Sequence, residues 1–188
     1  MKADSVIKCP SCNENTHVVQ ATQNVQNFGE VLITAIKCDK CGYRFTDVMS
    51  TEFNDAVEFK ALIEKEDDLS IKVIKSSSGT IEIPEMGIEI EPGPASDGYI
   101  TNVEGLIVRI EEAFSVIINS SKGKQKEKAE KKLNELIEAK NGRKKFTLII
   151  KDPYGNSALV GRNAEKRMLS EAEAKKLIGG IAVIEKNP

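Results

Sequence analysis

Two matched pairs, Cys9-Pro-Ser-Cys12 and Cys38-Asp-Lys-Cys41, are the residues here whose type and spacing can do chemistry. The two residues inside a Cys-x-x-Cys turn let both sulfurs face one point, and two such turns supply four soft donors at tetrahedral corners, as zinc requires. Four thiolates close the shell, so the pattern predicts a structural site with no position left for substrate or water. Gly42, after the second pair, suits a tight knuckle in which a backbone N–H turns toward a thiolate. Two disulfides or a dithiol redox site use the same residues, and the compartment decides between them. The N-terminal MKADSVIKCPSC lacks the apolar stretch and cleavage site of a signal peptide, and no apolar run has the length of a membrane span. The expectation is therefore a cytoplasmic chain with reduced thiols and one structural zinc on Cys9, Cys12, Cys38 and Cys41. His17, the single histidine, reads as a surface or strand residue rather than a competing ligand.

The elements around these pairs must bring them together. The 25 residues between the pairs exceed the common spacing of about 15–20, yet they suffice for a hairpin. Its arms are expected at His17 to Ala21 and Val31 to Lys37, with a turn at Asn24 to Gly29. Beyond this ribbon, Val57, Phe59, Ala61 and Ile63 alternate as in a strand. Leu69 to Ile74 alternates too, Ser76 to Gly79 is a turn, and Thr80 to Ile83 and Gly87 to Glu91 read as strands broken by Pro84. Thr101-Asn-Val-Glu104 reads as a capping box with Thr101 as N-cap. It opens a helix with Leu106, Ile107, Ile110, Phe114 and Ile117 on one stripe. A second helix, from about Gln125 to Lys140, ends at Gly142. Phe146 to Lys151 returns to strand and runs into the turn signal Asp152 to Ser157. Ser170-Glu-Ala-Glu173 opens a last short helix ending at Gly179-Gly180, and Ile181 to Ile184 is expected as a closing strand. The pattern is mainly β with α: a ribbon over 1–50, then a β-body over 51–188 carrying a helical hairpin at about 102–141.

Composition narrows the classes. Aromatic residues are 5% and Trp is absent, so the core must be Ile, Val and Leu. A net charge of -2 argues against general grip on phosphate backbones. Lys122 to Lys145 nevertheless holds ten Lys or Arg against four Glu. That run reads as a solvated helical face; it lacks the interleaved aromatics that stack bases.

Cys9-Pro-x-Cys12, Asn27-Phe28-Gly29-Glu30-Val31 and Cys38-x-x-Cys41-Gly42-Tyr43-Arg44-x-x-Asp47-Val48 together resemble the ZPR-type zinc-finger family. So do Val73-Ile74-Lys75-Ser76, Ile83-Pro84-Glu85, Thr101-x-Val103-Glu104-Gly105-Leu106 and Asp152-Pro-x-Gly155-Asn156-Ser157, in family order from residue 9 to about 160. The resemblance implies a zinc ribbon similar to that of translation initiation factor two subunits. It also implies a double-stranded β-helix, or jelly-roll-like, body with a helical hairpin, in the single-module form that resembles archaeal members. Eukaryotic members carry two modules and bind the GTP-binding elongation factor one-alpha, in whose folding they are implicated. The expected role is thus that of an adaptor or folding chaperone for the corresponding factor, an inference by analogy. Two departures stand out: Gln26 precedes Asn27-Phe28 where the family has proline, and Asn102 replaces a threonine.

Phe28 at the ribbon tip is the candidate client anchor, with Asn27 beside it, because exposed aromatics on rigid hairpins become hot spots. Packing of Phe28 on the body is the alternative. Tyr43 and Arg44 are candidates for the same surface, although Tyr43 also suits packing on the ribbon. Asp152, Asn156 and Ser157 look catalytic, but no histidine stands near them in sequence and a self-bonded turn needs the same residues. Glu85 and Glu104 read as structural. No catalytic residue is expected, and the chain is read as a non-enzyme. The competing function is a nucleic-acid-binding zinc ribbon acting on RNA or ribosomes. Assembly into a homo-oligomer is left open.

Overall fold

A computed structural model describes residues 2–25, 29–51, 54–93 and 96–178 of the 188. The first four strands, β1 (Lys2–Lys8), β2 (Asn15–Val25), β3 (Gly29–Lys37) and β4 (Arg44–Ser50), form one antiparallel sheet in the order β1-β2-β3-β4. The expected hairpin is therefore the middle of a meander. Its register runs from His17↔Lys37 to Val25↔Gly29, and β1 and β4 add to its two sides. One cysteine pair forms the β1–β2 connection and the other the β3–β4 connection, so both knuckles sit at the same end of the sheet. Val25 and Gly29 stand at the other end, about 35 Å away for the 11 residues of β2.

The body is two antiparallel sheets sharing one core. β12 (Ala164–Met168), β5 (Val57–Ile63), β10 (Phe146–Asp152), β7 (Thr80–Ile83) and β8 (Ile88–Ile90) make the larger in that order. β11 (Ala158–Val160), β6 (Lys72–Lys75) and β9 (Tyr99–Asn102) make the smaller. Ala61, Ile81, Leu148 and Ile150 of the first sheet pack with Val73 and Leu159 of the second. Aliphatic β-branched side chains fill the space that aromatics leave empty, as the composition requires. The alternation seen over Leu69 to Ile74 belongs to two elements: Leu69 is buried from a 3-10 turn, Glu66–Ser70, and only Lys72–Lys75 is strand. Proline's fixed φ ends β7 and opens a second 3-10 turn, Pro84–Met86.

Between β9 and β10 the chain makes the helical hairpin, α1 (Val103–Ser120) and α2 (Lys124–Lys140). The N-cap of α1 is Asn102, whose Oδ1 accepts from Gly105 N at 2.8 Å. Thr101 is not the cap, because α1 begins at Val103 and Thr101 stands one residue further out in β9. Val103, Leu106, Ile107 and Ile110 are buried and Phe114 packs on the core, whereas Ile117 is 46% exposed. The stripe therefore outruns the body, and the far half of the hairpin stands clear of the core. Leu136 and Ala139 are the α2 residues that join it. Gly142, at φ 70°, ends α2 as expected.

A last helix, α3 (Glu171–Ile178), is opened by Ser170, whose N–H and hydroxyl both donate to Glu173 at 2.9 and 2.8 Å. The closing strand expected at Ile181 to Ile184 lies outside the described residues. Among those described, no helix is long and apolar enough to cross a membrane.

A four-thiol metal centre and the junction behind it

The two knuckles are built alike. In the first, Cys9 N donates to Glu14 O and Asn13 N to Cys9 O; in the second, Cys38 N donates to Tyr43 O and Gly42 N to Cys38 O. The fourth residue after the first cysteine of each pair takes a left-handed backbone, Asn13 at φ 60° and Gly42 at φ 76°. Asn13 is the residue that sequence reasoning missed. Its signal was positional equivalence with Gly42, and asparagine is among the few side chains at ease there.

The four sulfurs lie within 4.8 Å of one another, with Cys9 to Cys41 and Cys12 to Cys38 both at 3.7 Å. A tetrahedron with Zn–S bonds of about 2.3 Å has edges of about 3.8 Å, so the donor set fits zinc. Cys9 and Cys38 are buried, Cys12 is half-buried and Cys41 exposed. All four cysteines are free thiols rather than disulfides. Backbone N–H groups of Cys41 and Lys40 draw the Cys38 thiol down to about 6. At Cys12 the Glu14 N–H also lowers the pKa, but the neighbouring sulfurs and burial outweigh it and push the thiol up to about 12. Four thiolates this close repel one another, and a cation at their centre removes that conflict. His17 takes no part: it sits on the sheet surface, Nδ1 2.9 Å from Asp4.

Several motif residues that carry no metal converge where β4 meets the body. The outward N–H groups of β4 are capped in turn by side chains: Thr46 by Asp97, Val48 by Asp47 and Ser50 by Asn156, at 2.8 to 3.0 Å. An edge capped in this way is closed to further strand pairing. Asp47 also accepts from Ser77 N and Ser77 Oγ at 2.8 and 2.9 Å. Gly98 N donates to Thr46 O at 2.7 Å, and a Cβ at Gly98 would lie 2.6 Å from Val48 N, so that approach needs glycine. Behind these bonds Val25, Val31 and Val48 of the ribbon bury against Ile74 and Ala158 of the body.

Asp152 follows Phe146, Leu148 and Ile150 on the inward face of β10, so strand parity drives a carboxylate into the interior. Ser76, Ser157 and Ser78 hydroxyls donate to it at 2.6, 2.6 and 2.9 Å, and Tyr154 N at 2.9 Å. Of the residues that looked catalytic, Ser157 thus donates to Asp152, while Asn156 is turned to Ser50 N. Lys75 is buried beside them and donates to Ser76 O and Ser96 Oγ at 3.0 and 3.1 Å. Burial pushes its pKa below the ordinary lysine range, against the pull of Asp152, Asp47 and Asp97. Glu85 accepts from Thr147 N and Oγ1 at 3.0 and 2.6 Å, a structural role. Glu104 is exposed in the first turn of α1.

Of the candidate contact residues, Tyr43 is half-buried and Arg44 exposed, both at the metal end of the sheet. Asn27 and Phe28 lie outside the described residues; their flanks, Val25 and Gly29, are at the opposite end.

Residues 4–53 match the ZPR1 zinc-finger domain and residues 67–175 the ZPR1 jelly-roll domain. A ZPR1-like protein of Methanocaldococcus jannaschii is 38% identical over 182 residues, covering 95% of this chain and 92% of its own length. One from Pyrococcus horikoshii is 36% identical over 182 residues, at 94% and 82%. The zinc finger chaperone zpr1 of Schizosaccharomyces pombe is 31% identical over 158 residues, which are 80% of this chain but 34% of that protein. With a four-thiol ribbon, a jelly-roll body and near full-length likeness to archaeal relatives, this chain belongs to the ZPR1 zinc-finger family.

Proposed function

We propose that this chain is a zinc-stapled protein-binding module, an adaptor or folding chaperone for elongation factor one-alpha or its archaeal counterpart. The closed four-thiol centre carries this reading. Its sulfurs stand at tetrahedral spacing, so a bound zinc has no open position at which to activate water or polarise a substrate. What the metal supplies is rigidity, in a sheet too small to hold alone. The chaperone role is supported by the fission-yeast relative named for it, and the partner by the family resemblance. In this reading the ribbon, residues 1–50, presents two contact regions. Tyr43 and Arg44 stand by the metal, and Asn27 and Phe28 lie in the segment joining β2 to β3. Residues 51–188 are the supporting body.

The lysine-rich hairpin does not favour the nucleic-acid reading. Lys126, Lys140, Lys144 and Lys145 are each within 4 Å of a glutamate, at 3.8, 3.3, 2.7 and 2.7 Å, which leaves less charge for phosphates. The test is to mix the zinc-loaded chain with purified elongation factor, nucleotide-free, GDP-bound and GTP-bound. Association with at least one state is expected, and failure with all three contradicts the proposal.

A further inference from the structure

Between β4 and the loops of the body lies a cleft of about 730 Å³, a size typical of ligand sites at about 300–1,000 Å³. Its walls are mostly apolar, with Ser50, Thr51, Asn54 and Asn156 completing them. Phe45 and Met49 come from β4, and Pro153 and Tyr154 from the turn after β10. Met49 and Tyr154 keep 45% and 50% of their surface exposed.

The floor is the serine turn after β6, and its hydrogen-bonding polarity is set from below. Ser76 and Ser78 give their hydroxyl protons to Asp152, and Ser77 gives both its hydroxyl and its backbone N–H to Asp47. Ser76 is buried and its Oγ already accepts from Ser78 N; what Ser77 and Ser78 still offer to the cleft is lone pairs, and Asp47 adds negative charge on the same side. Lys75, the cation of the cluster, is only 4% exposed and has its ammonium turned to Ser76 O and Ser96 Oγ. An entering phosphate or carboxylate meets this floor of acceptors with two carboxylates behind it. A guanidinium or ammonium on an aliphatic stem meets acceptors at its head and apolar wall along its stem. Tyr154 adds an aromatic face of the kind that attracts cations.

We infer that this cleft seats an arginine or lysine side chain from an extended segment of a protein partner. The stem lies between Met49 and Tyr154, and the charged head points to Ser77, Ser78 and Asp47. The inference rests on the protein-binding reading above and adds the chemistry that the partner presents.

Panning a random heptapeptide display library on the zinc-loaded full-length chain tests it. The expected result is enrichment of Arg or Lys flanked by apolar residues. By fluorescence anisotropy, Met49→Lys should weaken a selected peptide about tenfold through like-charge repulsion. Tyr154→Ala should weaken it too. Both positions are exposed, and an unchanged thermal melt verifies that the variants fold. Enrichment of acidic or purely apolar peptides, no enrichment, undiminished binding to Met49→Lys, or displacement of the peptide by inorganic phosphate or GTP overturns the assignment. Binding of elongation factor is read separately. If the factor binds wild type and Met49→Lys alike while no basic peptide is selected, the cleft assignment fails and the protein-binding reading stands. If basic peptides bind and the factor does not, the cleft stands and the named partner falls.

Discussion

At the metal centre the two knuckles ask the same backbone of two different residues, Asn13 and Gly42. Left-handed geometry costs an ordinary L-residue about 1–2 kcal/mol, and β-branched ones more. Asn13→Val should therefore lower the stability of the zinc-loaded ribbon by at least about 1–2 kcal/mol in thermal melts, while Asn13→Gly leaves it nearly unchanged. The ligands themselves were legible because thiol type and spacing are the chemistry, whereas Asn13 was hidden by its resemblance to any loop asparagine. A second residue-scale prediction concerns Glu173. The N–H and hydroxyl of Ser170 and the Arg167 guanidinium hold its carboxyl down to about 2. Its folded value is thus below the ordinary 4.5, so its stabilisation of α3 is full above that pH and fades as pH falls toward about 2. NMR titration should find this midpoint, and Arg167→Ala should move it up; an ordinary midpoint in the wild type would contradict the contact geometry.

At the scale of elements, strong periodicity survives translation into structure and short irregular pieces do not. The α1 stripe and the Val57 to Ile63 alternation are visible because each buries one face of a long element. β9, β11 and β12 have four, three and five residues. The side chains of β12 are nearly all exposed, which erases the alternation that marks a strand. The capping residue shows how a local motif can be misplaced by one position. Thr101-x-x-Glu104 has the form of a capping box, yet α1 begins at Val103 and it is the Asn102 amide oxygen that accepts from Gly105 N. Asn102→Ala should therefore cost about 1 kcal/mol by urea denaturation, whereas Asn102→Asp, which keeps the accepting oxygen, should cost little. An Asn102→Ala variant as stable as the wild type would contradict the cap.

For the whole molecule, the resemblance anticipates a ribbon and a jelly-roll body, but not how tightly β4 joins them. That junction is formed by Asp47, Lys75-Ser76 and Asp152 to Ser157, which lie far apart in sequence. Only strand parity at Asp152 and the approach of β4 bring them together. Asp152→Asn would set an amide N–H₂ among groups that already donate, and should cost about 1–3 kcal/mol in global stability with zinc still bound. Loss of zinc from that variant would mean that the metal centre depends on the junction.

Every functional conclusion depends on one zinc enclosed by four thiolates. Zinc K-edge X-ray absorption on the purified chain, with metal content measured on the same sample, examines that claim most directly. The account predicts one zinc per chain with four sulfur neighbours at about 2.3 Å and no nitrogen or oxygen in the shell. A shell containing a water oxygen or an imidazole nitrogen, or cysteines recovered as disulfides, would contradict it.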